Sequence, residues 1–81
     1  MIELNEQQIQ RLYMAFDFEE HEEIVNATIE CERGGCMEIN YINHKDNSNG
    51  CYKPYFAKHS QEDKDKLDFI LNGIKLERNP S

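Results

Sequence analysis

The spacing of apolar residues changes twice along this chain, and that limits the fold more than any other feature. Ile9, Leu12, Tyr13 and Phe16 recur at helical intervals. From Val25 the interval drops to two: Val25, Ala27, Ile29 and Cys31 alternate with Asn26, Thr28 and Glu30. Leu67, Ile70, Leu71 and Ile74 then return to helical spacing. A stripe of period 3.6 cannot be one face of a strand, nor an alternation one face of a helix. The chain must therefore lay helices at its two ends against a sheet in its middle.

Local signals set the expected boundaries. Asn5 with Gln8 reads as a capping box and opens a helix over Glu6–Phe16. Five of the seven residues Asp17 to Glu23 are acidic, which opposes the dipole at a helix C-terminus and predicts a loop or a frayed end. Ser60 with Asp63 opens a second helix over Gln61–Asn72, and Gly73 marks its stop. His44 to Gly50 collects turn formers and reads as a loop. Cys51 to Lys58 reads as a third strand, held to a sheet edge because Pro54 cannot donate to a ladder.

The middle hairpin has an expected register, because a slip of one residue would turn every side chain over. Pairing Ile29 with Ile39, Ala27 with Tyr41 and Cys31 with Met37 aligns the apolar faces. Glu32 then faces Cys36 across a three-residue loop, Arg33-Gly34-Gly35, in which glycine supplies the left-handed residue. The opposite face carries Asn26, Thr28, Glu30, Glu32, Glu38 and Asn40. The expected fold is α+β: a three-stranded antiparallel meander with two flanking helices on one face, in the order α-β-β-β-α. Residues 1–81 form a single small acidic domain with a short tail at 75–81. A chain this small buries only about 60% of its unfolded surface, which leaves little room for a deep pocket beside a core.

Charge is divided unequally between the two halves. Met1 to Glu38 holds ten acids and two bases, whereas Ile39 to Ser81 holds six acids and seven bases. A one-sided negative field attracts basic partners, and it repels phosphate backbones, so direct nucleic-acid binding is not expected. The candidate contact residues are Asp17, Glu19, Glu20, Glu22 and Glu23 in the acidic run, and Glu30, Glu32 and Glu38 on the hairpin. Carboxylates on a rigid sheet can imitate the spacing of phosphates. Tyr55, set opposite to Tyr52 and Phe56 by alternation, adds an aromatic anchor of the kind found at binding hot spots.

Other chemistries have weaker support. Cys31, Cys36, Cys51 and His59 are four soft ligands that could make a zinc-stabilised adaptor, but Cys51 and His59 are too far apart for a usual pair. The same register puts Cys31 on the buried face and Cys36 on the exposed one, so no bound metal or cofactor is expected. His21 follows Asp17 at four-residue spacing, a pair that meets only if the helix extends that far. There is no glycine-rich phosphate loop and no nucleophile motif, so an enzyme is not expected. No membrane partner is expected, because no run approaches the ~18 apolar residues of a span. Met1 to Asn5 lacks the basic start and apolar stretch of a signal peptide, and three cysteines suit a reducing compartment. A cytoplasmic location follows as the expectation, in a host cell if the chain is virus-encoded. Small acidic cytosolic domains without catalytic motifs often work as stoichiometric inhibitors, with immunity proteins, antitoxins and virus-encoded anti-defence proteins as the obvious classes. By that analogy of size and charge, the expected role is a non-enzymatic inhibitor or regulator of a basic, nucleic-acid-binding protein.

Overall fold

The computed structural model describes residues 1–74, so the tail at 75–81 lies outside the described residues. A short strand β1 (Ile2–Glu3) precedes helix α1 (Glu6–Ala15), followed by β2 (Glu22–Cys31), β3 (Gly34–Asn43), β4 (Ser48–Tyr52), β5 (Tyr55–Phe56) and helix α2 (Gln61–Asn72). The sheet is antiparallel in the order β1-β2-β3-β4, with β5 pairing the start of β3. The fold is the expected α+β meander between two helices, with a small added strand at its edge.

Each helix begins with a side-chain cap, and that of α1 is reciprocal. The Asn5 side chain accepts from the Gln8 N–H at 2.9 Å, and Gln8 Oε1 accepts from the Asn5 N–H at 2.8 Å. At α2 the Asp63 N–H donates to Ser60 Oγ, while Asp63 Oδ2 accepts from the Ala57 N–H at 2.9 Å. The C-terminus of α2 has no basic residue in its last turn. Helix α1 supplies one instead: Arg11 donates to the Ile70 carbonyl at 3.2 Å and Gln8 to the Leu71 carbonyl at 3.0 Å. This locks the helices together and takes up one of the two bases of the N-terminal half.

The core lies between the helices and one sheet face. Leu12, Ile29, Met37, Ile39, Leu67 and Ile70 are its largest fully buried side chains. Each contributes about 1.5–3 kcal/mol through burial. Ile74, expected on the buried stripe of the second helix, is exposed because it lies beyond the cap residue Gly73.

Three details of the sheet depart from the sequence expectation. First, Ile29 pairs with Met37 and Ala27 with Ile39, two residues from the expected register, and the loop shrinks to Glu32-Arg33. The cause is a bulge in β3. Gly34 and Gly35 have φ of 139° and 103°, so both can start the strand rather than fill the turn. The Glu30 carboxylate seals the bulge by accepting the Cys36 N–H at 3.2 Å. Second, β2 begins at Glu22, and the extra residue between Ile24 and Asn26 is Val25. Ile24 takes the core position and Val25, expected in the core, is 52% exposed. Tyr13 fixes the switch, its hydroxyl accepting the Ile24 N–H at 2.6 Å. The bulge and glutamates also blunt this stretch of β2, which β1 leaves uncovered.

Third, the expected loop His44–Gly50 is only the turn His44–Asn47, and Gly50 lies inside β4 opposite Tyr41. Gly50 serves close approach here: a Cβ would come within 2.6 Å of the Tyr41 ring, which lies over the bare backbone. The expected strand Cys51–Lys58 is split at Lys53-Pro54 into β4 and β5. The proline keeps its edge position, and its carbonyl accepts the Met37 N–H at 2.9 Å.

Candidate functional site

The eight acidic candidates fall into three separate places. Helix α1 stops at Ala15, so Asp17 to His21 run as an irregular segment into β2, and the helical pairing of Asp17 with His21 does not form. Asp17, Glu19, Glu20, Glu22 and Glu23 thereby gather at the open end of the β2–β3 ladder. Glu22 folds back so that Oε1 accepts the Glu19 N–H at 2.9 Å, which fixes the bend. His21 Nδ1 lies 3.5 Å from Glu19, and His44 Nε2 lies 2.7 Å from Glu23. Among the described residues, no lysine or arginine forms an ion pair with any of the five acids.

Glu30 and Glu38 lie on the outer sheet face, and both have partners within the fold. Glu30 is the acceptor in the β3 bulge. Glu38 accepts from the Cys51 thiol at 3.6 Å and has Lys53 Nζ at 4.0 Å. Between the strands, Asn40 donates to Asn26 at 2.8 Å, adding a neutral rung. Glu32 is not on this face. It sits in the turn at the far end of the hairpin, where it shares a surface hollow with Arg33, Lys58 and Lys64. The continuous anionic sheet surface expected from alternation is therefore reduced to two carboxylates with partners in the fold, while the third lies at the turn beside Arg33, Lys58 and Lys64.

Tyr55 is 64% exposed and pairs with Cys36 at the sheet edge, on the face away from the core. Position and exposure suit a contact residue, but it is remote from the five clustered acids.

The open end also carries aromatic residues, some expected as packing and others, Phe18 among them, without a clear signal in the apolar spacing. Phe18, alone among the acids of its segment, meets Tyr13, Tyr41 and Tyr52 edge-on at centroid distances of 5.9, 5.5 and 6.5 Å. Phe16 meets Tyr52 at 5.4 Å and Phe56 at 6.3 Å. Phe16, Phe18, Tyr41 and Tyr52 wall an open cavity of about 250 Å³, with Asp17 and Glu22 also on its lining. A second, shallower hollow is lined by Glu19, Glu20, Glu22 and Glu23 around Tyr13 and Phe18. The signal for this arrangement was present in the sequence as Phe16-Asp17-Phe18, two aromatics astride an acid.

One acid near this end is electrostatically tuned. Asp46, in the turn between β3 and β4, accepts from the Ser48 hydroxyl at 2.6 Å and from the Ser48 N–H at 3.0 Å. These bonds, the hydroxyl first, hold its carboxyl below the usual aspartate range.

The zinc candidates are not brought together. Cys31 is half-buried, with its thiol donating to the Gly34 carbonyl at 3.2 Å, whereas Cys36 and Cys51 are exposed at different rungs of the outer face. His59 stands apart, between β5 and α2. Among the described residues, no group of three or more His, Cys, Asp or Glu side chains is placed to hold a metal. No described helix is long and apolar enough to cross a membrane. Comparison of the chain with protein-family models, curated proteins and solved structures finds no match.

Proposed function

We propose that this chain is a non-enzymatic inhibitor or regulator that docks on a basic protein through the open end of its central hairpin. The observation that carries this reading is the gathering of Asp17, Glu19, Glu20, Glu22 and Glu23 with no lysine or arginine paired to them among the described residues. Acids with internal cationic partners cost desolvation on binding and add little. Unpaired acids gathered at one end give a directed field that speeds encounter with a positive surface. The aromatic walls beside them offer apolar area that a purely solvated acidic surface lacks.

A partner that itself binds nucleic acid has the right surface for this end, and the chain would then occupy the place of phosphate. Immunity proteins, antitoxins and virus-encoded anti-defence inhibitors act in this way, and a cytoplasmic setting goes with the proposal. The role requires no cofactor, no membrane and no direct nucleic-acid contact. Tyr55 is a secondary contact only for a partner large enough to reach around the sheet edge.

The test starts with affinity capture on the full chain from its native cells, followed by kinetics with the purified partner. The association rate should fall steeply as salt rises, while the dissociation rate changes little, because exposed charges are screened beyond about 10 Å at 0.1 M. An association rate indifferent to salt, or a partner with an acidic contact surface, would refute the proposal.

A further inference from the structure

We infer that the aromatic cavity at the open end is a subsite for one arginine side chain of the basic partner. This inference rests on the docking proposed above and names the chemistry of its anchor. The cavity of about 250 Å³ falls below the roughly 300–1,000 Å³ of small-molecule sites, so it suits a side-chain head group better than a free ligand. Its walls are the rings of Phe16, Phe18, Tyr41 and Tyr52, and a cation near an aromatic face is held by the ring quadrupole. Asp17 and Glu22, two acidic residues, belong to the same lining. Glu22 commits Oε1 to the Glu19 N–H and keeps its second oxygen for a ligand. Flat rings beside carboxylates match a planar guanidinium, which can stack and hydrogen-bond at once. An ammonium is a compact, strongly hydrated charge and gains less from the same walls.

The molecule already contains a weaker version of this contact. Lys66 of α2 holds its ammonium 4.8 Å from the centroid of Phe16. That charge opposes an incoming cation, and the two carboxylates outweigh it. Removing it should therefore tighten the subsite. Gly50 is part of the same construction, because only a bare backbone lets the Tyr41 ring lie where it lines the cavity.

The test is a titration of the full chain with the blocked peptide Gly-Arg-Gly-Arg-Gly, followed by NMR. The control peptide carries citrulline at both arginines, which keeps the shape and loses the charge. The arginine peptide should shift the ring resonances of Phe16, Phe18, Tyr41 and Tyr52 saturably, and its arginine δ-protons should move upfield. The citrulline peptide should bind about tenfold more weakly or worse, within the range of a desolvated cation–aromatic contact. Asp17→Asn and Glu22→Gln should each weaken binding several-fold with native amide dispersion kept, since glutamine preserves the acceptor for Glu19. Lys66→Met should strengthen it. If the amides of Glu19 to Glu23 respond while the rings stay still, the subsite is refuted and the acidic docking end survives. If neither responds, both are refuted. Equal binding of the citrulline peptide also refutes the subsite.

Discussion

The β2–β3 ladder carries acids at both ends, but in opposite company. At the turn end, Glu32 sits among Arg33, Lys58 and Lys64, so the field there is mixed. At the open end, Asp17, Glu19, Glu20, Glu22 and Glu23 have histidines for neighbours and aromatic rings behind them. The ends are about 30 Å apart, given a ten-residue strand at about 3.3 Å per residue. At that separation, in physiological salt, each end meets a partner independently of the other. The comparison teaches that a charge split along a sequence does not map directly onto a charged surface. The fold brings Lys58 and Lys64 of the C-terminal half into the hollow around Glu32, whereas at the open end Lys66 lies over the Phe16 ring and, among the described residues, no lysine or arginine pairs with the five acids.

The two ends also differ in what keeps them rigid, and three substitutions test that difference. Gly35→Ala should have the largest effect, a loss of about 2–3 kcal/mol in chemical denaturation. It forces φ of 103° on an L side chain and drives a Cβ into the Glu30 carboxylate. A loss below about 0.5 kcal/mol would show that the turn end does not depend on the bulge. Tyr13→Phe should cost about 1–2 kcal/mol, because the Ile24 N–H loses its acceptor. Hydrogen exchange should then quicken around Ile24 and remain slow at Met37; uniform quickening would mean that the ends are not separate.

Ser48→Ala should have the smallest effect. Asp46 has a lowered pKa in the fold, so its hydrogen bonds stabilise the protein above the ordinary aspartate range and lose that contribution as pH falls through the lowered value. In the variant the Asp46 carboxyl should titrate higher than in the parent, since the hydroxyl bond is lost and only the bond from the backbone N–H at position 48 remains, while the stability at neutral pH changes little. An unchanged Asp46 titration would show that the Ser48 hydroxyl is not what holds it.

Most of the architecture could be read from spacing, because apolar period and caps act locally. Glu6 and Gln61 start their helices where Asn5 and Ser60 predict, and α2 ends at Asn72 before Gly73. The register could not be read, because it depends on two irregularities that alternation hides. Gly34 and Gly35 look like turn residues until Glu30 is seen filling the bulge beside them. Val25 looks like a core residue until Tyr13 binds the amide of Ile24. Gly50 looks like a loop residue until Tyr41 is found lying over it. The same is true of the site. The acids at positions 17–23 are evident in the sequence, but the cavity beside them combines Phe16 and Phe18 of the irregular segment with Tyr41 of β3 and Tyr52 of β4, residues distant in sequence that only the tertiary fold brings together.

The central claim is that the open end, and not the rest of the acidic surface, steers the partner. The direct measurement is the association rate of two triple charge reversals against the captured basic partner at low salt. One reverses Glu19, Glu20 and Glu23 to Lys, leaving Glu22 to hold the bend. The other reverses Glu3, Glu32 and Glu38 to Lys, leaving Glu30 in its bulge. The two variants change net charge equally, so only position distinguishes them. The account predicts that the open-end variant associates about tenfold or more slowly, while the other slows by less than about threefold. Equal slowing, or greater slowing by the second variant, would contradict it.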